Sequence, residues 1–148
     1  GVPAIYINSL FGTSNDEAKF VITGNNRDVN RYKWNIQNIL NKLKNKESKQ
    51  SNFYQNITHL LNIRRKQKAF HPNAARYNLN FGSKIFAFKR VSLDKKQSII
   101  CVTNLSSKIQ NITLNKTYLR WKNLIKPQSK LNKQLVLGPF ETIWLSNK

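Results

Sequence analysis

The hydrophobic period of this chain changes from helical to strand-like at about residue 74, and this change limits the possible folds more than any other feature. Before it, apolar residues recur near helical spacing in Trp34–Asn45 and in Ser51–Lys68. The segment His71-Pro72-Asn73 ends the second of these runs, because a proline disfavours helical geometry in the residue before it. The pattern therefore predicts two main helices within residues 1–73.

Residues 74–148 read instead as short strands separated by turns. The runs Lys84–Val91 and Ser98–Thr103 lie on either side of Asp94-Lys95-Lys96, a sequence typical of a turn. The other predicted strands are Arg76–Phe81, Ile109–Leu114, Tyr118–Leu124, Leu135–Leu137 and Glu141–Leu145. Strands of this length and spacing predict an all-β antiparallel sandwich.

The first residues have a different character. Gly1–Asn8 is an uncharged run of apolar and β-branched residues, which predicts a strand buried on both faces. Ser9–Asp28 follows as a loop rich in Gly, Ser, Asn and Asp, with at most a short helix at Glu17–Phe20. The chain has no Met and supplies no partner for a buried first strand, so we expect it to be a piece of a longer protein. In α/β barrels, a loop after a parallel strand is where sites lie.

The net charge of +20 raises the possibility of a basic nucleic-acid-binding module. The excess of Lys and Arg is spread over both halves of the chain rather than gathered in a tail. Lys outnumbers Arg 19 to 7, and the 21 Asn residues point to a bias towards AT-rich codons. Trp121, Trp144, Phe86 and Phe88 stand at strand spacing, which is typical of a core and not of a surface that stacks bases. We therefore expect no nucleic-acid partner.

Several kinds of site have no support in the sequence. His59, His71 and Cys101 lack the spacing of metal ligands, so we predict no metal site. Cys101 lies in an apolar strand-like run, which predicts a buried and inert thiol. No apolar run approaches the length of about 20 residues that spans a bilayer, and no export signal is present, so we expect a cytoplasmic protein without a membrane partner.

Acid–base chemistry is limited by the supply of carboxylates, since the chain holds only six Asp and Glu residues. Asp16 and Asp28 are the pair that a retaining glycosidase mechanism would use, but neither ends a strand in an apolar setting. We therefore predict no catalytic residue in this chain. The segment Asn25–Arg31 is rich in donors suited to sugar hydroxyls or to a phosphate, although a loop held by its own hydrogen bonds would have the same composition.

Five segments of the chain carry a family resemblance: Gly1–Tyr6, Ser9–Asp16, Thr23–Arg31, Ile63–Ala74 and Phe140–Leu145. Together they resemble the α-amylase superfamily and, within it, the sucrose phosphorylase branch, which includes glucosylglycerate and sucrose-phosphate phosphorylases. The first, Gly1–Tyr6, is similar to the eighth barrel strand of the superfamily. The more specific match is the Thr-Gly-x-x-Arg-x-x-Asn-Arg pattern in Thr23–Arg31. The remaining matches are Ser9–Asp16, Ile63–Ala74 and the closing strand Phe140–Leu145.

This resemblance implies the last strand, a substrate loop and helices of a TIM-type barrel over residues 1–73, followed by a C-terminal β-sandwich domain over residues 74–148. It implies a retaining transfer of glucose from sucrose or a related α-glucoside to phosphate, with phosphate as co-substrate and no other cofactor. Arg31 matches the family arginine that lines the glucosyl subsite, and Asp28 and Asn30 match neighbours that shape its loop. The catalytic carboxylates of the family precede these segments, so we expect this chain alone to be inactive. A sandwich that only binds carbohydrate is the remaining alternative.

Overall fold

The computed structural model describes residues 2–148, which divide into two units, Val2–Asn62 and Ile63–Lys148. The first unit is helical, and its described residues contain no strand. Its helices are α1 (Ile7–Leu10), α2 (Glu17–Thr23), α3 (Ile36–Lys44) and α4 (Lys49–Arg65), with a 3₁₀ helix at Asn26–Asn30. The last three residues of α4, Ile63 to Arg65, belong to the second unit.

The predicted helices are confirmed, with bounds shifted by a few residues. Asn35 begins α3, since its side-chain oxygen accepts hydrogen bonds from Gln37 N and Asn38 N at 3.0 and 3.1 Å. Asp16 begins α2 in the same way by accepting from Lys19 N at 3.1 Å. Local polar side chains therefore set both helix starts.

The predicted first strand is not formed within the described residues, and Gly1 lies outside them. Tyr6 has extended dihedral angles, but Ile7–Leu10 is helical. An extended segment becomes a strand only when its backbone bonds to a neighbouring strand, and no described residue pairs with residues 2–6. Val2, Ile5 and Tyr6 are consequently exposed, not buried on two faces.

The second unit is built on antiparallel strands, as predicted. Its strands are β1 (Ala75–Leu79), β2 (Ile85–Val91), β3 (Ser98–Asn104), β4 (Gln110–Thr113), β5 (Lys122–Asn123), β6 (Gln134–Leu137) and β7 (Thr142–Ser146). Five of them form a sheet in the order β1-β2-β3-β7-β5, and β4 pairs with β6 in a second sheet. All described strand pairs are antiparallel.

Two clusters of buried side chains lie on opposite faces of the five-stranded sheet, because side chains alternate along each strand. On one face, Ile100 and Leu145 pack with Ile112 and Leu137 of the smaller sheet. On the other, Ile99 and Cys101 pack under Phe70, which belongs to a 3₁₀ helix at Lys68–Phe70. The 3₁₀ helix at Lys68–Phe70 thus covers part of this face of the sheet.

Two of the expectations from the strand pattern need correction. Tyr118–Leu124 is not one strand, because residues 116–120 form a 3₁₀ helix whose start is capped by Asn115 Oδ1 on Thr117 N at 3.0 Å. Only the two residues of β5 remain extended and paired. Phe86 is not a core residue either, since 45% of its surface is exposed. Trp144, by contrast, packs edge-on against Phe70 with the two ring centroids 5.0 Å apart.

Candidate substrate-binding site

Arg31 directly follows the 3₁₀ helix Asn26–Asn30, and the two residues before that helix set its position. Gly24 ends α2 with a φ of 64°, a left-handed conformation that glycine adopts without steric cost. Asn25 Oδ1 then accepts from Arg27 N at 3.0 Å and caps the new helix. The Gly-Asn pair therefore ends one helix and begins the next.

An open pocket of about 400 Å³ is lined by Tyr6, Asn26, Arg27, Asn30 and Arg31. Two of the three residues predicted from the sequence, Arg31 and Asn30, are thus brought together. The guanidinium groups, the amides and the phenol supply many hydrogen-bond donors, and the lining includes no acidic residue. Such a surface suits sugar hydroxyls or an anionic group.

Asp28, the third predicted residue, is not part of this lining. Its carboxylate lies 3.4 Å from the ammonium group of Lys19 on α2. A hydrogen bond from the Thr23 hydroxyl lowers the pKa of Asp28, and Lys19 and then Arg31 lower it further. Thr23 Oγ1 also donates to Lys19 O at 3.0 Å. Asp28 therefore holds the loop against α2.

Asp16 is bound within the same structure. Its side chain accepts from Lys19 N at 3.1 Å, and its own backbone N donates to Val29 O at 2.7 Å. Asp16 and Asp28 therefore both contact Lys19, one at its backbone and the other at its side chain. These contacts give both carboxylates a role in joining α2 to the loop.

Two residues of this site were missed from the sequence. Tyr6 lines the pocket, although the apolar run around it had placed it in a strand. Asn8 is only 6% exposed, and its Nδ2 lies 3.0 Å from Tyr32 O and 3.4 Å from both Asn30 O and Tyr6 Oη. A lone polar side chain that ends an apolar run was the available signal for Asn8.

A second pocket of about 220 Å³ is formed by the polar segment before α2 and the aromatic residues after Arg31. Its lining is Thr13, Ser14, Asn15, Asp16, Tyr32, Trp34 and Gln50. Trp34 Nε1 donates to Thr13 Oγ1 at 2.9 Å, and the Tyr32 and Trp34 rings meet edge to face at 4.9 Å. These contacts fix the indole ring and satisfy its polar group.

The described residues offer neither a metal site nor a membrane span. In residues 2–148, no three His, Cys, Asp or Glu side chains come together in a way that would hold a metal ion. No helix in that range is both long and apolar enough to cross a membrane.

The sequence of this chain is similar to those of curated proteins. The chain is 30% identical over 146 residues to a glucosylglycerate phosphorylase of Escherichia coli, and this alignment covers 98% of the chain. It is 34% identical over 106 residues to a glucosylglycerate phosphorylase of Spirochaeta thermophila, which covers 72% of this chain. This chain is a relative of the glucosylglycerate phosphorylases. No family model matches it.

Solved structures show the same fold. A crystal structure of MutB with sucrose matches this chain with a TM-score of 0.54 and 18% identity, and the match covers 72% of this chain and 19% of MutB. A structure of AmyP with maltotriose matches with a TM-score of 0.57 and 19% identity, and covers 69% of this chain and 22% of AmyP. At this level of identity the two matches carry the fold alone.

The chain spans about a quarter or less of the length of the curated relatives that it matches. The aligned region is 25% of the Escherichia coli protein and 18% of the Spirochaeta thermophila protein.

Proposed function

We propose that this chain is the C-terminal part of a retaining phosphorylase that converts an α-glucoside and phosphate to α-glucose 1-phosphate. In this proposal Arg31 binds the hydroxyls of the glucosyl unit, and Asn30 and Asp28 hold the loop that presents it. The observation that carries the proposal is that Arg31 and Asn30, both in the Thr23–Arg31 motif, line one donor-rich pocket. The near full-length match of the chain to glucosylglycerate phosphorylases supports it.

The chemistry takes place in two displacements. A carboxylate of the complete enzyme attacks C1 of the glucosyl unit while a carboxylic acid protonates the leaving oxygen. A phosphate oxygen then attacks C1 and releases the carboxylate, which leaves α-glucose 1-phosphate with the original configuration. Asp16 and Asp28 are both held by Lys19, and we assign neither of them to these steps. The isolated chain is therefore expected to be inactive.

Residues 1–73 supply the last strand, the substrate loop and helices of a TIM-type barrel in this proposal. The exposure of Val2, Ile5 and Tyr6 supports that assignment, because apolar side chains of this size are normally covered. Val21 and Ile22 on α2 are exposed as well. In the complete enzyme these residues pack against the rest of the barrel, and residues 2–6 pair with its strands.

Replacement of Arg31 tests the proposal. In the complete protein that contains this chain, Arg31→Ala should lower kcat/KM for phosphorolysis by on the order of 100-fold or more, since it removes charge-assisted hydrogen bonds at the reacting sugar. The measurement is the release of α-glucose 1-phosphate from glucosylglycerate, sucrose and sucrose 6-phosphate. Glucosylglycerate is the first substrate to test, because the curated relatives carry its name.

Arg65→Ala provides the matched control. Arg65 is an exposed arginine at the end of α4, and no ion pair or hydrogen bond of its side chain occurs in the described structure. The control should keep normal turnover and the same circular dichroism spectrum. Normal phosphorolysis by a folded Arg31→Ala enzyme would reject the assignment of Arg31.

A further inference from the structure

Asn8 connects the start of the chain to the loop that carries Arg31. It is buried within α1, and its Nδ2 reaches Asn30 O and Tyr32 O, which lie 22 and 24 residues further along the chain. The same nitrogen lies 3.4 Å from Tyr6 Oη. One amide group therefore contacts the two neighbours of Arg31 and one wall of the pocket of about 400 Å³.

These contacts restrict the backbone on both sides of Arg31. The Asn30 carbonyl belongs to the peptide that precedes Arg31, and the Tyr32 carbonyl lies one residue beyond it. The backbone bond of Arg31 itself, from its N to Asp28 O, is long at 3.4 Å. The shortest hydrogen bond that anchors the segment from Asn30 to Tyr32 to α1 is thus the 3.0 Å bond from Asn8 to Tyr32 O.

The oxygen atom of the Asn8 amide indicates why an asparagine is present at this position. Asn8 Oδ1 is buried and has no hydrogen-bond partner among the described residues. An unpaired buried acceptor is unfavourable, so a position that needed only packing would be better filled by an apolar residue. The amide is retained for its two N–H groups, which serve three oxygen atoms.

We infer that Asn8 is a positioning residue for Arg31, which sets the backbone at the substrate loop without contacting substrate. This inference rests on the proposed role of Arg31. In this inference Asn8 acts on substrate binding only through Arg31. Removal of the Asn8 donors should therefore weaken the contribution of the Arg31 guanidinium group to kcat/KM, and should cause no further loss of kcat/KM when Arg31 is already absent.

A double-mutant cycle in the complete enzyme tests this inference. Asn8→Ala removes the side chain, and Asn8→Asp keeps its shape but replaces the donor nitrogen with oxygen. Each should lower kcat/KM by about 10- to 100-fold, since a displacement of about 1 Å in a binding group has that effect. Combined with Arg31→Ala, each should cause little further loss. Asn52→Asp makes the same chemical change at an exposed position of α4 and should leave kcat/KM unchanged.

Stability is measured on the same proteins, so that a merely structural role can be recognised. A purely structural Asn8 would lower Tm and the active fraction, leave KM unchanged, and add its loss in full to that of Arg31→Ala. That result, or normal kcat/KM in folded Asn8→Asp, overturns the inference while an impaired Arg31→Ala still supports the proposed function. Normal activity of Arg31→Ala would instead overturn both. If Asn8→Ala does not fold, the isosteric Asn8→Asp decides the test alone.

Discussion

The carboxylate of Asp28 lies 3.4 Å from the ammonium group of Lys19, and this pair turns Asp28 towards α2 and not into the pocket that Arg31 lines. Only 20% of the Asp28 side chain is exposed. Asp28 and Arg31, which are three residues apart in the same motif, therefore make different kinds of contact. One presents a donor to the pocket, and the other holds the loop in place.

We predict that Asp28→Asn has a much smaller effect on catalysis than Arg31→Ala. The substitution keeps the shape of the side chain and removes the charge that pairs with Lys19. A pair of this kind near the surface contributes little energy, so kcat/KM in the complete enzyme should fall by less than about tenfold. Steady-state kinetics of both variants, with Glu47→Gln as a control at an exposed carboxylate, checks this order. A loss equal to that of Arg31→Ala would place Asp28 at the substrate.

Arg31 and Asn30 both line the pocket because they are adjacent in sequence at the end of a short helix and need no distant contact to meet, while their role in binding stays a prediction. Tyr6 and Asn8 could not be predicted in the same way. They reach the pocket through contacts over more than 20 residues, and the apolar run that contains them has the pattern of a strand. Strand formation also depends on a partner, which no local pattern reveals.

The alternation of β2 and β3 predicted their positions closely, because each strand has one face on the core of the two sheets and the other under Phe70 or solvent. The segment Tyr118–Leu124 has similar apolar content, but Asn115 caps a 3₁₀ helix there. A hydrogen bond between neighbouring residues overrode the apolar pattern, as polar residues that bond to nearby backbone often do.

Gly12 and Gly24 should respond differently to the same substitution. Both have left-handed backbones, with φ of 57° and 64°. A Cβ at Gly12 would lie 2.7 Å from Phe53 Cγ, whereas nothing lies within 4 Å of one at Gly24. Gly24→Ala should cost only the backbone term of about 1–2 kcal/mol. Gly12→Ala should cost more than that, because the Phe53 ring must also move. Urea unfolding followed by far-ultraviolet circular dichroism compares them, and equal losses would contradict the expected clash.

Cys101 should react with alkylating reagents only after the sheet unfolds. Its side chain is 4% exposed, and burial raises the pKa of its thiol to about 12, against the opposing effect of the Arg90 and Arg64 guanidinium groups. At about pH 8, only about one molecule in 10,000 would then carry a thiolate. Labelling in native buffer should be at least about 100-fold slower than in concentrated urea. Comparable rates in the two solvents would show that this face of the sheet opens readily.

Neighbouring residues of β6 provide a test of the core between the two sheets. Leu137 is 0% exposed and packs in the core cluster, whereas Val136 is 58% exposed. Leu137→Ala should lower the free energy of unfolding by about 2–5 kcal/mol, because it leaves a cavity. Val136→Ala should change it by less than about 0.5 kcal/mol. The urea dependence of Cys101 labelling reports the unfolding of this unit, and similar losses in both variants would place the core elsewhere.

The turn between β2 and β3 should make stability depend on acidic pH. Asp94 Oδ1 accepts from the Ser92 hydroxyl at 2.6 Å and from Lys96 N at 3.1 Å, and Oδ2 lies 3.3 Å from Lys68 Nζ. These contacts, the Ser92 hydrogen bond first, lower the pKa of Asp94 from 3.8 to about 2. A carboxyl with a lowered folded-state pKa stabilises the fold above its unfolded pKa and loses that effect as pH falls towards about 2. Asp94→Asn should therefore be less stable than the parent chain at neutral pH, and the two urea midpoints should converge between about pH 4 and pH 2.

Glu47→Gln is the control, since its carboxylate forms no ion pair in the described structure. A difference for Asp94→Asn that stayed constant with pH would mean that the charge of Asp94 does not stabilise the turn.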